Sequence, residues 1–148
     1  MSQRVLIVEN EALIALDLSY KLEALGHEVV ATAAESAKAL EAAAQGIDLA
    51  LVDLDLRDGL TGPRLGEALA RKWGAAVIYL TAMPYQIGPG ITGPVGILSK
   101  PFTDAALAQA VGFAISLRAG RSAVPPSELR LLSDAAAAVQ GVRREACL

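Results

Sequence analysis

The 148 residues are 53% hydrophobic and 20% charged, which supplies a sizeable core and argues against global disorder. Aromatic residues make up only 4%, so aliphatic side chains must fill that core. The net charge of -3, with no long basic run, disfavours a nucleic-acid surface.

The length suits one domain plus a modest appendage. Cys147 is the only cysteine, so no internal disulfide is expected. Neither a leader pattern nor a window of membrane-spanning length is present, so the expectation is a soluble, cytoplasmic protein with no membrane partner.

Residues 4–8 (RVLIV) are a short continuous apolar run, the pattern of a strand buried on both faces. The run ends on a polar cluster, Glu9, Asn10 and Glu11. Leu13, Leu16, Leu18, Leu22 and Leu25 then recur at helical spacing up to Gly26, a helix-ending glycine. Residues 28–32 (EVVAT) read as a second strand, and the alanine-rich residues 36–44 as a second helix closing at Gly46. Residues 48–53 (DLALVD) read as a third strand, buried on both faces and ending on an acid.

A loop over 59–63 leads to a helix over 64–73 with Leu65, Ala68 and Leu69 inward. Residues 76–80 (AVIYL) are a fourth strand followed by Thr81, and 95–98 a fifth followed by Ser99 and Lys100. Residues 103–117 form a long apolar helix. Strand and helix alternate throughout, which predicts an α/β fold: a flavodoxin-like, doubly wound, five-stranded parallel sheet with right-handed crossovers.

Two regions break the alternation. Seven of the thirteen residues in 84–96 are Gly or Pro, which excludes a regular helix and degrades the fourth crossover to a loop or a single turn. Residues 121–126 (RSAVPP) read as a linker. Beyond it, Ser127 is placed to cap an extra C-terminal amphipathic helix carrying Leu129, Leu132, Ala136, Val139 and Arg143.

In an open parallel sheet the ligand site lies beyond the carboxyl ends of the strands. There the strands deliver Glu9, Asn10 and Glu11; then Asp53 with Asp55; then Thr81; then Lys100 followed by Pro101. Singly, each has an ordinary reading as a cap or a solvated charge. Together they form the group set of metal-assisted phosphoryl transfer. Oxygen ligands without histidine or thiolate suit Mg²⁺. A carboxylate such as Asp53 can accept a phosphoryl group, a lysine can contact its oxygens, and a threonine hydroxyl can donate to them.

The stretches VLIVENE, LALVDLDLRDGLTG, VIYLTA and LSKPF occur in the order and spacing of response-regulator receiver domains, and the chain resembles that family over residues 4 to 118. The resemblance implies a receiver domain over 1–120, with linker and helix over 121–148. It implies Asp53 as phosphoacceptor, Thr81 as switch hydroxyl and Lys100 as the phosphoryl contact. Glu9 and Asn10 occupy the acid-pair positions near the metal, and Asp55 supplies a backbone carbonyl. The implied cofactor is Mg²⁺. The implied partners are a sensor histidine kinase or phosphotransfer protein and a downstream protein target, not DNA, with homodimerisation left open. The phrases ALIALDL, EVVATA and LRDGLTG further resemble alphaproteobacterial receivers that work with HWE-type histidine kinases.

The sequence departs from that pattern in places. Asn10 stands where the family usually has Asp, so a neutral amide is expected to lower metal affinity while leaving phosphorylation of Asp53 intact. Ile97 replaces the usual aromatic three residues before the lysine, and Tyr79 and Tyr85 are the aromatics near enough to substitute, Tyr79 reading rather as core. In the family the fourth helix, fifth strand and fifth helix usually form the output or dimer face, so 84–96 reads either as a segment that orders on phosphorylation or as a static loop. His27 reads as a surface turn residue and Trp73 as packing. Apolar Met83 cannot orient an attacking water, so it is not expected to speed dephosphorylation.

Three other readings compete. DLDL (53–56) resembles the start of haloacid-dehalogenase-type phosphatases, although it follows the third strand rather than the first. Flavodoxins share the architecture, but carboxylates after the first strand would repel a flavin phosphate. A degenerate pseudo-receiver, an interaction module only, is the third. The expectation is a signalling switch rather than a metabolic enzyme.

Overall fold

The computed structural model describes residues 2–54, 62–83, 87, 90–132 and 135–136. Its strands are β1 (Arg4–Val8), β2 (Glu28–Ala33), β3 (Leu49–Asp53), β4 (Ala76–Thr81), β5 (Gly96–Ser99) and β6 (Leu129–Leu131). The helices are α1 (Ala12–Ala24), α2 (Ser36–Ala43), α3 (Gly62–Trp73) and α4 (Asp104–Arg118). The strands lie in the order β2-β1-β3-β4-β5-β6; the first five are parallel and β6 is antiparallel to β5.

The continuous apolar runs follow from burial on both faces. Alternate residues of one strand enter different cores. Val5 and Ile7 of β1 join Leu18 and Leu22 of α1 and Leu107 and Val111 of α4. Leu6 and Val8 join Ala39 of α2 and Leu65 and Leu69 of α3 on the opposite face. Two-sided cover of this kind gives the doubly wound architecture expected from the sequence.

Helix α3 starts at Gly62, two residues earlier than its periodicity suggests. Pro63 is tolerated because the first turn of a helix has no carbonyl partner for its missing N–H. Gly62 is needed for close approach: a Cβ there would lie 3.1 Å from the Asp53 carbonyl oxygen and 3.0 Å from the Leu54 Cα. Helix α4 is capped as its sequence suggests, with the Thr103 hydroxyl accepting from the Ala106 N–H at 3.0 Å.

No helix occurs among the described residues of the fourth crossover. Ile87 is buried and Ile91 packs against the same α2–α3 core. The Thr92 N–H donates to the Glu67 carboxylate of α3 at 2.9 Å, and Arg71 of α3 donates to the Thr92 hydroxyl. The described part of this segment is therefore tied to α3.

The C-terminal segment corrects the start of the helix expected from Ser127: residues 129–131 form a strand, while 135–136 are helical, with the Ala136 N–H donating to the Leu132 carbonyl at 3.0 Å. Leu129, Arg130 and Leu131 pair antiparallel with Leu98, Ile97 and Gly96. The open β5 edge offers backbone partners that an isolated helix would forgo. Leu129 and Leu131, two residues apart, enter the α1–α4 core, while Leu132 reaches the other. Val139 and Arg143 lie outside the described residues. Among the described residues, no helix is long and apolar enough to cross a membrane.

Candidate functional site

β1 and β3 are neighbours, but the chain leaves them toward opposite faces, so a crevice opens at their carboxyl ends. Four elements fill it. Glu9 follows β1, Asp53 closes β3, Thr81 closes β4 and Lys100 follows β5. Backbone bonds carry the ladders past the strand ends: the Glu9 N–H donates to the Ala33 carbonyl and the Lys100 N–H to the Thr81 carbonyl, both at 2.8 Å. These bonds make the crevice an extension of the rigid sheet.

Glu9, Asp53 and Thr81 are 4%, 3% and 2% exposed. Two carboxyl groups at that depth need a counter-charge. Lys100 supplies it: Nζ donates to Asp53 Oδ2 at 2.5 Å and lies 3.6 Å from Glu9 Oε2. One ammonium therefore faces two acids. Burial, then the adjoining Asp53 carboxyl, pushes Glu9 up to about 7, against the opposing pull of the Glu11 N–H and Lys100. Burial opposes the charge on Lys100, but Asp53 and Glu9 more than offset it and hold the ammonium above its ordinary value.

Glu9 uses Oε1 to accept from the Glu11 N–H at 3.2 Å. Its Oε2 is buried and accepts no hydrogen bond among the described residues. Such an oxygen is a ligand site in waiting. Thr81 Oγ1 accepts from the Met83 N–H at 2.9 Å, a bond that leaves the hydroxyl hydrogen for donation. Asn10 is half-buried, and with Glu9, Leu16 and Ser19 it lines a cleft of about 380 Å³ beside α1.

The structure thus brings together Glu9, Asp53, Thr81 and Lys100, with Asn10 at the rim. Asp55, expected to contribute a backbone carbonyl, lies outside the described residues, as does Tyr85. Among the described residues no group of three or more His, Cys, Asp or Glu side chains is arranged to hold a metal. The oxygen-only donor set, with a Glu9 Oε2 that accepts no hydrogen bond among the described residues and lies in an ion pair with Lys100, nonetheless fits a hard cation such as Mg²⁺.

Ile97 is fully buried and sits beside Tyr79 in the sheet, so no aromatic comes from that position of β5. Tyr79 is core, as expected, and its hydroxyl donates to the Pro63 carbonyl at 2.6 Å. Burial holds that phenol well above its usual range. Trp73 is a packing residue with Lys72 Nζ 5.4 Å from its ring centre. His27 is a partial correction: it is half-buried, and its Nδ1 accepts from the Gln3 N–H at 3.1 Å.

Sequence reasoning missed how α3 abuts the site. Gly62 leaves room beside the Asp53 carbonyl, and Gly66 leaves the slot for Tyr79: a Cβ there would lie 2.5 Å from two ring carbons. The available signal was two glycines within a helical pattern, each unfavourable unless something approaches closely.

The receiver-domain model of response regulators matches residues 5–112. The chain is 34% identical over 128 residues to the phyllosphere-induced regulator PhyR of Methylorubrum extorquens, covering 80% of this chain and 47% of that protein. It is 33% identical over 120 residues to the transcriptional regulatory protein PdtaR of Mycobacterium tuberculosis, covering 77% and 57%. The chain spans about half the length of these curated relatives. The receiver domain of Erythrobacter litoralis PhyR matches with a TM-score of 0.73 at 32% identity, over 83% of this chain and 97% of that one. The anti-anti-sigma factor PhyR from Bartonella quintana matches with a TM-score of 0.62 at 31% identity, over 76% and 49%. With a family match across most of its length and a strand-end site in the family's order, the chain belongs to the response regulator receiver domain family of two-component signalling.

Proposed function

We propose that this receiver accepts a phosphoryl group on Asp53 from a histidine kinase or phosphotransfer protein and thereby switches its binding to a downstream protein. The observation that carries the reading is the Lys100–Asp53 pair, sealed at the strand ends beside a second buried acid. An Asp53 oxygen attacks phosphorus as the bond to the donor imidazole breaks. Lys100, already 2.5 Å from Asp53, is positioned to move its ammonium onto a phosphoryl oxygen. Thr81 has a hydroxyl hydrogen left to donate to another, which couples β4 to the phosphorylated state.

Glu9, Asn10, Asp53 and the Asp55 carbonyl would hold Mg²⁺. Bound there, the ion would neutralise charge between carboxylate and phosphoryl oxygens. Asn10 contributes an oxygen but no charge, so affinity should be weak. One of the PhyR relatives is an anti-anti-sigma factor, which supports a protein as the downstream target here.

The test is phosphotransfer from purified kinases and from a small acyl phosphate, read by intact-mass spectrometry with and without Mg²⁺. The expected result is a Mg²⁺-dependent phosphoryl adduct lost in Asp53→Ala, with Asn10→Asp binding Mg²⁺ roughly tenfold tighter. Absence of any adduct under all donors would leave a pseudo-receiver, the reading that Asn10 favours.

A further inference from the structure

The β5 edge is closed by the chain itself. β6 meets it over three residue pairs, and the Leu132 N–H adds a bond to the Val95 carbonyl at 3.1 Å. The approach is close enough to dictate a residue on β5. A Cβ on Gly96 would lie 2.6 Å from the Arg130 carbonyl oxygen and 3.2 Å from the Leu129 side chain. Gly96 does not have a positive φ, so the backbone of β5 does not itself require glycine. Its absent side chain is what admits β6.

Residues 121–126 reach this edge without helix or strand structure, and they lie along α4. Ala123, Val124 and Pro125 face Gln109, Gly112 and Phe113 across a cleft of about 350 Å³. Val124 is 82% exposed, so the strap is shallowly seated. At its other end Glu128 joins Ser99, Pro101 and Phe102 in lining a second cleft, next to the Lys100 turn.

We infer that residues 121–132 are a built-in cap, and that its removal lets two copies of this chain pair through their β5 strands. Uncapped, β5 would present a row of backbone donors and acceptors, an edge that pairs with another chain. This edge already accepts an antiparallel strand. A second β5 related by a two-fold axis supplies an antiparallel strand of the same sequence, so the contact is self-complementary and closed. β6 and a second copy cannot occupy the edge together. The device is independent of whether Asp53 accepts a phosphoryl group.

The experiment compares the full chain with Arg130→Pro and Leu132→Pro by sedimentation velocity and amide exchange, both changes lying on the β6 side of the contact so that β5 itself is unaltered. Arg130 is exposed, and its N–H, two residues before that of Leu132, faces β5, so proline removes a pairing donor without opening the core. Leu132→Pro removes the bond to the Val95 carbonyl. The expected result is a monomeric wild type with protected 129–132 amides. Both variants lose that protection and dimerise at concentrations where wild type does not. Variants that lose β6 protection yet stay monomeric would overturn the inference. So would β6 protection retained in both variants, or a wild-type dimer with β6 still protected. Should Arg130→Pro also lose protection across β1–β4, Leu132→Pro decides alone.

Discussion

The strand-end site and the β4–β5 connection are held in place by opposite means. Glu9, Asp53, Thr81 and Lys100 take their positions from parallel strands whose ladders continue past them. No single side chain sets that geometry. The described part of the connection has neither helix nor strand until β5, and individual side chains hold it: Ile87 and Ile91 in the core, Thr92 on Glu67 and Arg71. The site can therefore carry buried charge at a cost in stability, because the sheet absorbs that cost. The connection can be retuned by changing one residue. Helix α3 adjoins both, with Gly62 leaving room beside the Asp53 carbonyl and Glu67 accepting from Thr92.

The largest effect is expected where α3 meets β4. Glycine to alanine in a helix interior ordinarily stabilises by about 1 kcal/mol. At Gly66 the new methyl would run into the Tyr79 ring, which is fully buried and fixed by its bond to Pro63. Gly66→Ala should instead destabilise the fold by about 2 kcal/mol. In a Tyr79→Leu background, which empties the slot, the same alanine should become neutral or stabilising. Urea denaturation of the four proteins measures the sign reversal. A stabilising Gly66→Ala in the wild-type background would break the link between α3 and the sheet.

The next effect tests the cost carried by the site. Glu9 is raised from 4.5 to about 7, chiefly by burial and then by Asp53. Between those values the folded chain binds more protons than the unfolded chain, so this group's contribution to stability falls as pH rises through the window. Glutamine cannot titrate. Glu9→Gln should flatten that slope and be more stable than wild type at pH 8 by about 2 kcal/mol, with little difference at pH 4. Denaturation midpoints at several pH values decide it; parallel profiles for the two proteins would show that Glu9 is not strained by its surroundings.

What was legible in the sequence follows the same division. Strands buried on both faces announce themselves as apolar runs, and their last residues must lie at one edge of a parallel sheet, so Glu9, Asp53, Thr81 and Lys100 could be assembled from spacing alone. β6 could not. Leu129, Leu132 and Ala136 fit a helical period, and the strand pattern of Leu129 and Leu131 is only three residues long. The edge of β5 decided between them, and its one signal was Gly96, a glycine in a strand that marks close approach of another backbone. Tyr79 in its Gly66 slot was equally hidden, because pairing a strand residue with a helix glycine requires knowing the crossover.

The smallest effect lies in the connection itself. Thr92 offers Glu67 two bonds, from its backbone N–H at 2.9 Å and its hydroxyl at 3.3 Å, and its hydroxyl also accepts from Arg71. The backbone bond is the first cause of the lowered Glu67 pKa, ahead of Arg64 and the Thr92 hydroxyl. Thr92→Ala keeps that backbone bond and removes only the hydroxyl. Global stability should hardly change, while amide exchange over residues 91–95 should rise by a few-fold and that of β1 and β3 should not move. Glu67→Ala removes both bonds and should raise exchange over the same residues further. If Thr92→Ala instead loosened the strand-end amides, the site and the connection would form one cooperative unit, and the sheet would not be insulating the site from its neighbour.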